Sequence, residues 1–297
     1  MAGTGATSTE PTRQTRVAVT GGSGKLGRAV VADLAAHGYD VVNLDRAAPP
    51  AGAKGVFVRI DLTDYGQVVE ALTGIDDRYD SIEAVVHLAA IPAPGLIANA
   101  QTFAGNVTST YNVFAAAQAA GIRTVVWASS ETLLGLPFED TPPPYFPVDE
   151  QYPVRPNSRY SLGKAVDEEV ARHFARWNPG CAYLGLRFSN VMDEADYAAF
   201  PSFEQDPHER SWNAWGYIDA RDGAQAVRLA LQSEITGAEN FIIAASDTVM
   251  STASSELAAA VFPGVPFTSP VEGADTLLSI GKAQSMLGFS PEHSWRE

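Results

Sequence analysis

Thr20-Gly21-Gly22-Ser23-Gly24-Lys25-Leu26-Gly27 follows directly on the apolar run Val17-Ala18-Val19. A short buried strand, a glycine-rich turn and a helix opening near Leu26 and running to about His37 make the start of a dinucleotide-binding βαβ unit. Gly21 permits the tight turn, Gly24 lets the main chain approach a pyrophosphate, and Gly27 lets the helix sit close to the strand. The helix opening at Lys25 and Leu26 adds free N–H groups and the positive end of the helix dipole. The rival phosphate motif is excluded. A P-loop requires glycine five residues before the Gly-Lys pair and Ser or Thr after it, where this chain has Val19 and Leu26.

Moving outward, Val41-Val42-Asn43-Leu44-Asp45 reads as a second strand ending in an acid. A carboxylate about 20 residues past the glycine turn bonds the adenosine ribose hydroxyls and repels a 2′-phosphate. Asp45 therefore favours NAD over NADP. Arg46 beside it is the residue that could instead accept the extra phosphate.

Further strand-like runs cover 56–59, 84–88, 124–128 and 183–188, alternating with helical patterns that are clearest over 108–120 and 161–177. Near-continuous apolar strands separated by helices predict an α/β fold, a doubly wound parallel sheet of the Rossmann type. The expected organisation is a disordered tail over 1–14, a Rossmann domain over 15–189 and a small mixed substrate-binding region over 190–297. The proline-rich segment 137–156 must be irregular, and it falls at the carboxyl edge of the strands, where such sheets bind ligands.

Composition narrows the function classes. Hydrophobic residues make up 45% and charged residues 19%, the balance of an ordinary globular protein. A net charge of −15 argues against nucleic acid or an anionic membrane as partner. No apolar run reaches membrane-spanning length, and the N-terminus lacks the apolar centre of a signal peptide. Cys181 is the only cysteine, which fits a reducing cytoplasm, and no metal-spaced His/Cys set exists, so no metal is expected. His87, at a strand end, reads as a packing residue.

Tyr160-Ser161-Leu162-Gly163-Lys164 sets Tyr and Lys four apart on one helix face. A phenol ordinarily titrates near pH 10, too high for a base at neutrality. An ammonium one turn away stabilises the phenolate. The pair follows Trp127-Ala128-Ser129-Ser130-Glu131 at the end of the fifth strand, so serine hydroxyls and the phenol leave the sheet at the same edge.

With these pieces in place the chain resembles the extended short-chain dehydrogenases/reductases, often called the NAD-dependent epimerase/dehydratase family. Matching stretches run from end to end: TGGSGKLG, Asp61-Leu62, His87-Leu88-Ala89-Ala90, Asn106 in NVTSTYNV, the serine motif, YSLGK, Leu186-Arg187-Phe188-Ser189-Asn190-Val191 and Tyr217-Ile218-Asp219. The resemblance implies that Tyr160 is the proton-transferring acid/base, with Lys164 lowering its pKa and holding the nicotinamide ribose. Counting back from Gly135, it implies Ser130 as the hydroxyl on the reacting oxygen and Ser129 as a neighbour of the nicotinamide. Asp61 and Leu62 would border the adenine, and Leu88, Ala89 and Ala90 would line the cofactor. Asn106 would be a structural or active-site asparagine.

Two departures bear on the substrate. Leu133-Leu134 replaces the usual valine-tyrosine before Gly135, and Trp215 follows Asn190 by only 25 positions, where family members that grip a nucleotide need a longer insertion. That stretch is rich in aromatics, among them Tyr197, Phe200, Phe203, Trp212 and Trp215. Tyr197 and Trp215 are candidate sugar contacts, as are Glu131 and Thr132, which follow the serine. Asn190 and Arg187 are candidate anchors. Arg187 could fork onto a substrate carboxylate or be a buried structural arginine.

The expectation is an NAD(P)-dependent oxidoreductase acting on a secondary alcohol of a free sugar or sugar acid, comparable with uronate dehydrogenases. The alternative is a nucleotide-sugar epimerase or dehydratase that keeps its NAD bound. More remote is an NAD(P)-sensing regulator, against which the complete Ser130/Tyr160/Lys164 set argues. Family habit also implies a homodimer through a four-helix bundle of 108–120 and 161–177.

Overall fold

A computed structural model describes residues 14–297 except 76, 139 and 140; the tail expected over 1–14 lies outside the described residues but for Gln14. The chain begins with β1 (Arg16–Thr20), α1 (Lys25–Ala36), β2 (Asp40–Asp45), β3 (Val56–Arg59), α2 (Tyr65–Thr73) and β4 (Ala84–His87). It continues with α3 (Asn99–Ala119), β5 (Thr124–Ser130), α4 (Arg159–Trp177) and β6 (Ala182–Phe188). The last third holds β7 (Val191–Met192), α5 (Glu194–Tyr197), α6 (Phe200–Phe203), β8 (Ile218–Asp219), α7 (Ala220–Gln232), β9 (Gly237–Ile243), α8 (Ser254–Val261) and α9 (Gly281–Leu287).

The strands form one seven-stranded sheet in the order β3-β2-β1-β4-β5-β6-β9, every pairing parallel. Strands β1, β4 and β6 are apolar almost throughout because helices cover both faces. Apolar cores lie on the two sides, one around Val19, Leu184 and Trp215 and the other around Val85, Phe114 and Trp127. The direction of strand succession reverses between β1 and β4, and the crevice at their carboxyl ends is where such a sheet takes a ligand.

Three features differ from the sequence reading. Helix α3 starts at Asn99, nine residues before the expected 108, because its first turns are mixed in polarity and carry no clear apolar period. A strand absent from the reading, β9, pairs with β6 from Ala182↔Gly237 to Phe188↔Ile243. Its first half, Gly-Ala-Glu-Asn, is only half-buried at the sheet edge and so lacks the expected apolar run. A boundary at 189/190 therefore runs through one sheet, and α7 from the late segment packs on α1 from the early one, joined by Arg228 Nε to Asp33 Oδ2 at 2.9 Å. The described part of 137–156 is irregular as expected, pinned by isolated bridges Phe146↔Phe267 and Val148↔Leu278.

Candidate functional site

The glycine turn behaves as its spacing requires. Gly21 has φ +70°, and a Cβ there would lie 2.7 Å from Ala89 N; a Cβ on Gly27 would run into the Gly21 carbonyl oxygen. At Gly24 a Cβ would find only that same oxygen, at 3.4 Å, so the turn is open on the side that faces the cleft. Asp45, at the end of β2, is locked in place: Oδ2 accepts from Ser23 N at 3.0 Å and Oδ1 from Ala47 N at 3.0 Å.

Ser129 and Ser130 end β5 and Tyr160 opens α4. The helix start is fixed by a reciprocal cap in which Ser158 Oγ accepts from Ser161 N (3.0 Å) and Ser161 Oγ accepts from Ser158 N (2.9 Å). That cap sets Tyr160 in the first turn and Lys164 one turn later. Tyr160 and Lys164 are buried, at 8% and 3% exposure, and the phenol is hydrogen-bonded to Ser130. Burial pushes the Tyr160 phenol up to about 12, against the lowering effect of the Ser130 bond; the Asp167 and Glu131 carboxyls add to the rise. Lys164 Nζ donates to Ala128 O at 2.6 Å and lies 3.9 Å from Asp167 Oδ2. The Lys164 ammonium is thus engaged by a main-chain carbonyl and an acid.

All of these groups open into a single cleft of about 1300 Å³. Gly21, Gly24, Lys25, Leu26 and Gly27 line one end with Asp45 and Arg46. Leu62, Leu88, Ala89, Ala90 and Asn106 follow along its length. Ser129, Ser130, Tyr160, Lys164, Glu131, Thr132 and Asn190 surround the other end. Asn106 works on the wall itself: Oδ1 accepts from Ile91 N (2.8 Å) and Nδ2 donates to Ile91 O (3.0 Å), holding the loop after β4. His87 is a packing residue, bonded to Thr20 Oγ1 (2.8 Å) and Thr110 Oγ1 (3.2 Å), and burial drives it down to about 3, so it stays neutral.

Five expected contacts need correction. Arg187 is only 4% exposed and forks onto Glu168, Nε to Oε1 and Nη2 to Oε2, both at 2.8 Å, the arrangement of a buried structural arginine. Glu168 Oε1 also accepts from Ser129 Oγ at 2.7 Å, so this pair braces the end of β5. Trp215 is fully buried and its Nε1 donates to Pro207 O at 2.8 Å, so it belongs to the core. Tyr197 packs on Phe200 and Tyr217 and donates its hydroxyl proton to Asp219, away from the cleft. Asp61 gives its carboxylate to Thr63 and to Arg46 (2.5 Å), which hold it down to about 2; Ile60, Leu62 and Thr63 line the cleft in its place. Glu131 borders the cleft, but its carboxyl is 3% exposed and accepts from Ser189 Oγ (2.5 Å) and Asn213 Nδ2 (3.1 Å). Burial raises it to about 7, opposed by those two bonds and by the nearby Arg210.

Sequence reading missed Leu136, Asn157 and Trp212 as wall residues. Trp212 stood in the aromatic stretch beside Tyr197 and Trp215, and nothing local distinguished the one that faces the cleft. Among the described residues no His/Cys/Asp/Glu group is arranged to hold a metal ion, and no helix is long and apolar enough to cross a membrane.

Comparison with known proteins agrees with this geometry. The chain is 29% identical over 246 residues to the L-arabinose 1-dehydrogenase (NAD(P)(+)) of Haloferax volcanii, covering 80% of this chain and 91% of that protein. It is 29% identical over 190 residues to the UDP-glucose 4-epimerase of Erwinia amylovora, covering 59% and 53%. With that enzyme and other curated epimerases it matches, the alignment spans about half of their length. A solved short-chain dehydrogenase/reductase superfamily protein from Agrobacterium tumefaciens with bound NAD superposes with a TM-score of 0.71 at 26% identity, covering 95% of this chain and 94% of that one. Residues 17–244 match the family model for NAD-dependent epimerases and dehydratases, and with the glycine turn, the parallel sheet and the Ser/Tyr/Lys cluster in one cleft the chain belongs to the NAD-dependent epimerase/dehydratase family.

Proposed function

We propose that this protein is an NAD-dependent oxidoreductase that moves hydride between a secondary alcohol of a free sugar or sugar acid and the nicotinamide. The observation that carries the reading is the convergence of Ser130, Tyr160 and Lys164 with the glycine turn and Asp45 in a single cleft. The residues fit the dinucleotide: an open glycine turn at a helix N-terminus for the pyrophosphate, and at the end of β2 a fixed carboxylate for the ribose hydroxyls. Asp45 repels a 2′-phosphate, and Arg46, the residue that could welcome one, is tied to Asp61.

When bound, the nicotinamide supplies the hydride acceptor or donor. Ser130 Oγ orients the reacting oxygen, and Tyr160 Oη exchanges the proton with it. A phenol held near 12 is protonated at neutral pH and is ready to donate to a carbonyl. Taking a proton from an alcohol requires positive charge beside the ring, which Lys164 supplies once its ammonium is shared between the ribose and the phenol.

The segment from Asn190 onward forms the substrate wall. Helices α3 and α4 lie against each other and expose Tyr111, Leu162 and Trp177, a face suited to pairing with a second copy in a four-helix homodimer. A free, half-buried Cys181 accords with a cytoplasmic location. One observation favours a second reading, a nucleotide-sugar epimerase with retained NAD: the similarity to UDP-glucose 4-epimerases.

The deciding experiment is a screen for NADH formation over free sugars, uronates and nucleotide sugars, with the bound-cofactor content of the purified protein measured beside it. NADH from a free sugar or uronate, with exchangeable NAD, supports the dehydrogenase. Stoichiometric bound NAD and interconversion of a UDP-sugar without added cofactor would replace it with the epimerase. Tyr160→Phe should lower turnover by about 10²-fold or more while leaving NAD affinity intact.

A further inference from the structure

We propose that Trp212 is the platform on which the substrate ring lies, its indole face set against the C–H face of a monosaccharide-sized ligand. This role presupposes the sugar oxidoreductase activity proposed above and assigns the part of the cleft that selects the sugar. Three aromatic side chains line the cleft among the described residues: Tyr160, Phe188 and Trp212. Tyr160 has the proton to manage and Phe188 is buried in β6, whereas Trp212 is half-buried. Its indole N–H has no acceptor among the described residues, which leaves a donor for a sugar hydroxyl.

The ring is held by an unusual amount of structure for a residue in a short 3-10 turn, Ser211–Asn213. Behind it the Arg210 guanidinium, 7% exposed, is stacked between two rings, 5.3 Å from the Trp212 centroid and 5.3 Å from that of Phe203. Arg210 Nη2 donates to Gly216 O at 3.1 Å. The turn is tied twice to the segment that follows β5. Phe138 N donates to Trp212 O at 2.9 Å, and Asn213 Nδ2 donates to Glu131 Oε1 at 3.1 Å, one residue from Ser130.

Directly after the turn, Ala214 (φ +53°) and Trp215 (φ +57°) are both left-handed without being glycine. A bulky residue in that region is a strained outlier that persists only where its surroundings over-determine it. Here the surroundings are the buried Trp215 indole on Pro207 O and the Arg210 stack. The strained turn fixes Trp212 in one orientation relative to Ser130, so little conformational freedom is left to lose when a ligand stacks on it. Ser130, Thr132, Asn157 and Asn190 line the same cleft, short polar side chains suited to ring hydroxyls.

The test measures steady-state kinetics with L-arabinose and with D-glucuronate at saturating NAD, for wild type, Trp212→Ala and Trp212→Phe. In Trp212→Ala the sugar KM should rise about tenfold, with kcat changed far less and the KM for NAD unmoved; Trp212→Phe should restore most of the loss. A variant that fails to fold shows itself by thermal melting, and Trp212→Phe then carries the comparison with a smaller rise in sugar KM. An unchanged sugar KM in both variants, with wild type active, overturns the platform and leaves the activity standing. A wild type that forms no NADH from any free sugar or uronate overturns the activity and the platform together.

Discussion

The two ends of the cleft are held by different kinds of interaction. At the dinucleotide end the wall is main chain: glycines at 21, 24 and 27, the turn after β4 fixed by Asn106, and one carboxylate, Asp45, locked by two backbone amides. At the other end the wall stands on buried ionisable side chains: Glu168 with Arg187 behind Ser129, Glu131 between Ser189 and Asn213, and Arg210 stacked under Trp212. A main-chain wall is specified by what must be absent, a Cβ, and tolerates changes in surrounding side chains. A wall of buried charges is specified by pairs, and the loss of one member leaves the other desolvated without compensation.

The strongest way to break that contrast is Arg187→Met. Glu168 would keep only the Ser129 hydroxyl as partner in a site closed to water. The expected cost is about 3–5 kcal/mol of stability, read from the denaturant midpoint, and Glu168→Leu added to it should recover a large part. A single variant within about 1 kcal/mol of wild type would mean the pair does not hold the end of β5. Arg187 would then be released to face a substrate carboxylate.

The same contrast explains what could be read from the chain without coordinates. Sterics written into glycine spacing are local, so Gly21, Gly24 and Gly27 announce their roles within eight residues, and Asp45 follows from the length of one βα unit. Tyr160 and Lys164 are also local, because four positions along a helix put them on one face. Arg187 reads equally as a ligand clamp or a structural residue because its partner Glu168 stands on another element, and no periodicity encodes that meeting. The aromatic stretch failed for a related reason. Tyr197, Trp212 and Trp215 are equivalent in composition, and the left-handed backbone at Ala214 and Trp215 decides which ring turns inward and which meets the cleft. Strand β9 escaped because half of it lies at the sheet edge, where burial does not enforce an apolar pattern.

A smaller effect is expected at the dinucleotide end. Wild type should favour NAD over NADP by about tenfold or more in kcat/KM, about 1.4 kcal/mol, and Asp45→Ala should narrow the gap. Because the Asp45 oxygens are fixed by backbone amides, the change should fall on cofactor choice and leave the sugar KM unmoved. A wild type that works better with NADP would show that Arg46 leaves Asp61 to meet the 2′-phosphate, and the main-chain wall would then depend on a mobile charge after all.

The smallest effect sharpens the other wall and concerns Glu131, whose carboxyl burial raises to about 7. The folded protein holds this proton more tightly than the unfolded chain, in which a glutamate titrates near 4.5. Its contribution to stability is thus complete below about pH 4.5 and is lost as pH rises through about 7. Glu131→Gln keeps an acceptor for Asn213 and a polar partner for Ser189 but has no charge to desolvate. The two proteins should melt alike below about pH 4.5, and the Gln variant should gain on wild type by a few degrees as pH rises from there to about 7, with little further gain above it. The difference in Tm between them isolates this one group from the other carboxyls, which titrate in both. If wild type instead gained on the variant as pH rose, the Arg210 guanidinium would be holding Glu131 as a full ion pair. The wall under Trp212 would then be a salt-bridged surface in place of a neutral, hydrogen-bonded one, and it would loosen only as the pH falls below the 4.5 at which a free glutamate titrates.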